Sequence, residues 1–389
     1  MRVIRLLPLG FLVAAGVAAV GCGEGGSAPT TEATQSDLMV RPRVNPFESV
    51  VKQRNLASDL PIAKNLVGTL INGWGVSFDP RTGLAWVSSN GNGSAELLTE
   101  DGVSIRSISM GTCDMPPCSS PTGNVFNPTN AFKSDDFIFV TEDGVIFGVK
   151  RTDTSVPDPR VPATDGANYK GVAIGNDHGK EILIVANFSN PDLGGPQIGT
   201  IDVFDAHYNP DHSFDGVFVD PDATANGLSP FNVKVVGDFL IVSYAERSAD
   251  EAKDNGPNGG MVDVYSINGR KLITQLIPFN NGQGPLNAPW AMDFGPDRDD
   301  RRAPDFVVGN FGDGHINVFE LSVHGKKVSA TFEGALGDKS GNALVIEGLW
   351  GFAFGNGRGG FSRDDLYFAA GPNDESNGLF GELDFGPRR

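Results

Sequence analysis

The feature that most restricts the fold is a unit of short apolar runs and tight turns that recurs six times. Its clearest copy surrounds Gly309-Asn-Phe-Gly-Asp-Gly314. An apolar run at 305–308 leads into this turn, and Ile316 and Val318 alternate on the way out. That is the turn chemistry and the two-residue period of a β-hairpin. The first run of each unit stands at 74–78, 129–132, 171–174, 231–235, 290–294 and 350–354. A second run follows at 84–88, 137–141, 182–186, 239–243, 306–309 and 366–370. Third runs stand at 144–149, 199–204, 260–265, 314–319 and 378–383, and fourth runs at 103–108 and 271–276.

A spacing of about 40 to 60 residues is that of a propeller blade. Six such units, each burying a face against the next, predict an all-β, six-bladed β-propeller of four-stranded antiparallel blades. The first run of each unit should be the innermost strand. The last unit ends near Phe385 without a fourth run, and the first is preceded by an orphan segment at 53–60. The orphan is therefore expected to supply the outer strand of the last blade and close the ring. A string of β-sandwiches would need linkers, and no linker composition separates the units. The 51 glycines and 26 prolines suit a turn-rich fold, which can run long as one domain.

The first 22 residues read as a targeting segment. Arg2 and Arg5 precede an apolar stretch at 6–20, too short and too early for an ordinary membrane span. Ala19-Val-Gly-Cys22 resembles a bacterial lipobox, which makes Cys22 the lipidation site and 1–22 a lipoprotein signal peptide. An ordinary secretory signal is the alternative. Gly23 is not the Asp that marks inner-membrane retention, so the outer membrane or cell surface is the expected location. Residues 23–52 are rich in Gly, Ser, Thr, Ala and Pro and are expected to form a disordered tether. The propeller should fill 53–389. Without Arg2 and Arg5 the chain carries 28 basic and 48 acidic residues. That acidity disfavours nucleic acid and anionic lipid, so membrane contact is expected only through the anchor. A monomer is expected. Cys113 and Cys118 close a Pro-rich turn, where an oxidising compartment favours a local disulfide.

In a propeller, the loops after each second strand and before each first strand share one face. They place Asn72, Asn90, Glu142, Asn187, Glu246 and Asn310 around the expected channel mouth, with Tyr169, Asn287, Glu347 and Asn373 beside them. Such a ring of amides and carboxylates is a candidate ligand site. Asn at a strand end also serves simply to turn the chain. The five histidines fall in no metal-binding spacing, and no Gly-x-Ser-x-Gly elbow is present. Asp297, Asp299 and Asp300 lie in one loop, but Arg301 and Arg302 oppose a cation there.

The motifs Asn72-Gly-Trp-Gly75, Asn127-Pro-Thr-Asn-Ala-Phe132, Phe137-Ile-Phe-Val-Thr-Glu-Asp-Gly144 and Gly309-Asn-Phe-Gly-Asp-Gly314 together resemble an uncharacterised family of exported bacterial six-bladed β-propeller proteins. The resemblance covers residues 54–385 and implies the fold and export. More distantly the blades are similar to those of NHL-repeat proteins and of gluconolactonase-like and streptogramin-lyase-like enzymes. The expected function is a membrane-tethered scaffold that binds a small molecule, glycan or protein at the channel mouth, with no cofactor and no catalytic residue. The alternative, implied by the lactonase-like resemblance, is a lactonase or lyase with Ca²⁺ or another divalent ion held by Glu142, Glu246 and Glu347.

Overall fold

The computed structural model describes residues 51–111, 119–248, 251–252, 259–279, 284–296, 306–324 and 327–386. The signal segment with Cys22, nearly all of the expected tether, Cys113, Cys118 and the Asp297–Asp300 loop lie outside the described residues. No helix among the described residues is long and apolar enough to cross a membrane.

Six sheets surround one axis, antiparallel except for one parallel edge pair in the last. The chain enters through β1 (Lys52–Ser58) and β2 (Asn65–Leu66). Blade 1 is β3 (Gly73–Phe78), β4 (Ala85–Ser89), β5 (Ser94–Leu98) and β6 (Ser104–Ser109). Blade 2 is β7 (Pro121–Phe126), β8 (Phe137–Thr141), β9 (Ile146–Val149) and β10 (Pro159–Val161). Blade 3 is β11 (Tyr169–Asp177), β12 (Lys180–Asn187) and β13 (Thr200–Asp205). Blade 4 is β14 (Leu228–Val236), β15 (Phe239–Ser248), β17 (Gly260–Ser266) and β18 (Lys271–Ile277), with the short β16 (Glu251–Ala252) folded onto β15. Blade 5 is β19 (Pro289–Phe294), β20 (Phe306–Asn310), β21 (Ile316–His324) and β22 (Lys327–Ala335). Blade 6 is β23 (Leu349–Phe354), β24 (Leu366–Ala370) and β25 (Leu379–Asp384).

β1 completes blade 6, as expected from the orphan segment. It pairs antiparallel with β25, from Lys52 opposite Asp384 to Ser58 opposite Leu379, and β2 runs parallel to β1 at the edge. Arg54 Nη1 lies 3.0 Å from Glu382 Oε2 and also pairs with Asp384. The two ends of the propeller are thus joined by backbone pairing, ion pairs and the buried Leu56 and Ala57. β1 starts one residue before the expected boundary.

Two expectations need correction. The inner strand of blade 2 is β7, not 129–132. Residues 127–131 form a loop that leads into the 3-10 turn Phe132–Ser134, in which Phe132 has φ +55°. Blade 3 has three strands rather than four. Its outer position is taken by an insertion at 206–227, which holds the 3-10 turn His212–Phe214 and the helix α1 (Pro221–Ala225). Asp211 N donates to Val203 O at 2.8 Å, so the insertion satisfies part of the edge that a fourth strand would have covered.

The inner strands β3, β7, β11, β14, β19 and β23 contact one another in sequence and close the ring. Near their starts they abut so tightly that small residues are required. A Cβ on Gly75 would stand 2.8 Å from Asn124 N, and one on Gly123 2.8 Å from Lys170 O. Farther along, the positions open from buried to half-buried toward the C-terminal end of each inner strand. The axis is closed at one end of the ring and widens toward the other.

Candidate functional site

The closed end is built by one repeated irregularity. Each inner strand slips register against its second strand at the same place, between Gly73 and Val76, Pro121 and Asn124, Tyr169 and Gly171, Pro230 and Asn232, Pro289 and Ala291, and Leu349 and Gly351. A β-bulge re-aims the side chain that it carries. The residues at this level are Trp74, Thr122, Lys170, Phe231, Trp290 and Trp350. Contacts between non-adjacent blades show that several of them reach the axis. Trp74 of blade 1 meets Trp290 of blade 5 with ring centroids 5.8 Å apart, and Phe231 of blade 4 meets Trp350 of blade 6 at 5.9 Å.

An aromatic stack results. Half-exposed Phe311 lies 3.9 Å from Trp350, and Trp350 lies 3.3 Å from Trp74, all nearly parallel. On Trp74 sits the ammonium of Lys170, 4.8 Å from the ring centroid. A cation over an indole face is attracted to it, more so when desolvated. Lys170 is 1% exposed and also pairs with Glu142. Buried charges need such partners.

From Glu142 a chain of side chains crosses three blades. Asn90 Nδ2 donates to Glu142 Oε2 at 3.0 Å, and Asn72 Nδ2 donates to Asn90 Oδ1 at 3.3 Å and also to Glu375. Of the six candidate residues the structure brings three together: Asn72, Asn90 and Glu142 form one hydrogen-bonded group. Asn72 also has φ +49°, so it turns the chain as well as bonding. Asn187 and Asn310 are drawn into their own loops. Asn187 Oδ1 accepts from Asn168 N and Ser189 N at 3.0 Å each, and its Nδ2 donates to Asp202 at 2.9 Å. Asn310 Nδ2 donates to Pro285 O at 2.9 Å. Glu246 lies half-buried on β15, opposite Leu228. Of the neighbouring residues, Tyr169 is tied to Asp202, whose carboxyl is pushed above the ordinary carboxylate range by burial. Exposed Glu347 accepts from Asn373 N at 2.8 Å.

Among the described residues no three His, Cys, Asp or Glu side chains come together in a way that could hold a metal ion. Glu142, Glu246 and Glu347 thus do not form the divalent site that the lactonase-like alternative requires. His315 Nδ1 lies 3.1 Å from Asp313 Oδ1, within its own turn.

Lys170 and the aromatic stack were missed by sequence reasoning. The signal was present in the repeat: Lys170 occupies, directly before a small residue, the position filled elsewhere by Trp74, Phe231, Trp290 and Trp350.

No family model matches the chain. Among curated proteins it is similar to the uncharacterised proteins L690 and R648 of Acanthamoeba polyphaga mimivirus. It is 28% identical to L690 over 221 residues, covering 55% of this chain and 51% of that protein. It is 24% identical to R648 over 344 residues, covering 81% and 75%. The chain spans about half the length of L690. These relatives are viral and lend no support to the bacterial origin read from the motifs. Among solved structures it is similar to a putative oxidoreductase (glucose dehydrogenase) from Thermus thermophilus, with 12% identity, 86% of this chain and 100% of that one covered, and a TM-score of 0.50. It is also similar to virginiamycin B lyase from Staphylococcus aureus, with 10% identity, 87% and 89% coverage and a TM-score of 0.39. At such identities the likeness concerns the fold alone.

Proposed function

We propose that the closed end of the ring is a binding face for a neutral, hydroxyl- or amide-bearing ligand such as an oligosaccharide. The observation that carries this reading is the chain of amides from Asn72 through Asn90 to half-exposed Glu142, at the same end of the ring as the aromatic stack that finishes in half-exposed Phe311. Fixed donors and acceptors at the same end as an apolar ring face suit a ligand that carries both apolar faces and polar groups. The ion pair with Lys170 balances the charge of Glu142 and favours a neutral ligand over a cation. Buried Asn72 Oδ1 and Asn310 Oδ1 have no hydrogen-bond partner among the described residues. Such acceptors are costly to leave unmet.

The N-terminal reading belongs to the same proposal: an exported protein, lipidated at Cys22 and held off the membrane by its tether, presenting this face to the surroundings. Titration of the full chain with chitotriose and cellotriose, followed by tryptophan fluorescence, tests the binding, because Trp74 and Trp350 lie in the stack. A saturable change that Asn90→Ala and Phe311→Ala weaken supports the reading. No saturable change with either sugar refutes it. The metalloenzyme alternative instead requires Ca²⁺, Mg²⁺, Mn²⁺ or Zn²⁺ to raise the unfolding midpoint, and Glu142→Gln or Glu246→Gln to abolish that rise.

A further inference from the structure

A strained turn brings one more side chain to the closed face. Between β24 and β25, Asn373, Asp374 and Glu375 all have left-handed backbone, with φ +57°, +50° and +62°. In blades 1, 2 and 5 the corresponding turn has one left-handed residue, and it is a glycine: Gly93, Gly144 or Gly314. Asn and Asp visit this region singly, whereas Glu lacks the short polar side chain that eases it. The three residues form one left-handed turn, in which Glu375 N donates to Gly371 O at 3.1 Å and Asn377 N to Pro372 O at 3.2 Å. Neighbouring carboxylates hold it on both sides. Asn373 N donates to Glu347 at 2.8 Å, and Asn377 Nδ2 and Gly378 N donate to Asp59 at 2.6 and 2.8 Å. Strain of this kind persists where the surroundings over-determine it, and it clusters at functional sites.

The strain sets the position of Glu375. Its carboxylate accepts from Asn72 Nδ2 across the joint between blades 6 and 1, and so ends the amide chain that starts at Glu142. Asn72 and Asn90 are 4% and 7% exposed, whereas Glu375 and Glu142 are both half-buried. The chain therefore meets solvent mainly at its two terminal carboxylates. We propose that Glu375 is a specificity residue of the closed face, accepting a hydroxyl of a neutral ligand and repelling an acidic one. This rests on the reading of that face as a binding site. A carboxylate has lone pairs for about four hydrogen bonds, so the bond from Asn72 leaves capacity for a hydroxyl. A hydrogen bond to an ionised group is stronger than one between neutral groups, while a ligand carboxylate in the same place meets like charge.

The test titrates the full chain with cellotriose and with trigalacturonic acid, followed by tryptophan fluorescence, and repeats both with Glu375→Gln. Urea unfolding checks the fold of each variant. Glu375→Gln keeps an amide oxygen for Asn72 and should bind cellotriose about tenfold more weakly. Its preference for cellotriose over trigalacturonic acid should fall by about tenfold or more. A residue that only shaped the turn would lower both affinities alike. Asp374→Gly eases the left-handed run without removing the Glu375 carboxylate and should raise the urea midpoint. The inference is overturned if Glu375→Gln binds cellotriose within about twofold of the unaltered chain, or keeps the same preference. It is also overturned if Asp374→Gly lowers the midpoint or leaves it unchanged. If the unaltered chain binds neither cellotriose nor chitotriose, the reading of the closed face falls first and this inference with it.

Discussion

Raising the pH should loosen the joint between blades 3 and 4, and replacing one carboxyl should remove the effect. Asp263 on β17 is 0% exposed. Tyr265 Oη donates to its Oδ2 at 3.2 Å, and the Tyr244 and Tyr265 hydroxyls lie 2.6 Å apart. Facing it is Asp220, the N-cap of α1, which is 2% exposed and accepts from Gln275 Nε2 at 2.8 Å. Gln275 Nε2 also donates to Asp222. Burial first, and then the nearby Asp220 carboxylate, push Asp263 up to about 8. The sign follows from proton linkage. The native state keeps a proton on Asp263 that the unfolded chain releases near pH 4, so the stabilisation is complete below that value and is lost as pH rises to about 8. The slope is about 1.4 kcal/mol per pH unit, or about 4 kcal/mol between pH 5 and pH 8. Asp263→Asn keeps a donor toward Asp220 without the titration. Urea unfolding at pH 5, 6, 7 and 8 should therefore show the variant gaining about 4 kcal/mol on the unaltered protein across that interval. Parallel stability profiles, within about 1 kcal/mol, would refute the assignment of this proton.

Removing the two members of the axial ion pair should have unequal consequences. Glu142→Gln leaves the buried Lys170 ammonium with weakened compensation and should cost about 2–3 kcal/mol in urea unfolding, whereas Lys170→Met frees a half-exposed carboxylate and should cost about 1 kcal/mol or less. Equal losses would contradict this. Leu56→Ala, in the closing strand, should destabilise by about 2–5 kcal/mol, and a loss well below 1 kcal/mol would mean that β1 does not close the ring. Gly351→Val should yield no folded protein by circular dichroism, because its Cβ would collide with Trp74 O and lie 3.0 Å from the Trp290 ring.

The fold was largely legible because blades repeat. Five of the six inner strands, the second strands and the closing role of the orphan segment all follow from runs and turns. Blade 2 misled because Pro121-Thr-Gly123-Asn124 carries turn chemistry. Gly123 is there for another reason: it lets β7 approach Lys170 and Gly171 of β11. The missing strand of blade 3 was illegible, since the 206–227 insertion meets the edge of β13 through a single bridge and a few backbone bonds rather than a strand. For the candidate site, strand-end asparagines were visible, but not which of them face one another. Asn72 and Asn90 meet because their loops adjoin within blade 1, whereas Asn187 turns to Asp202 on its own blade. The closure of the axis depends on bulges, and a bulge leaves no period in a sequence.

The most direct measurement is hydrogen–deuterium exchange of the full chain with and without saturating chitotriose. Added protection is expected at 71–75, 89–93, 142–144 and 310–314, the segments that surround the stack and the amide chain. Protection confined to the far ends of the inner strands, at 76–78 and 124–126, or none at all, would contradict the placement of the ligand on the closed face.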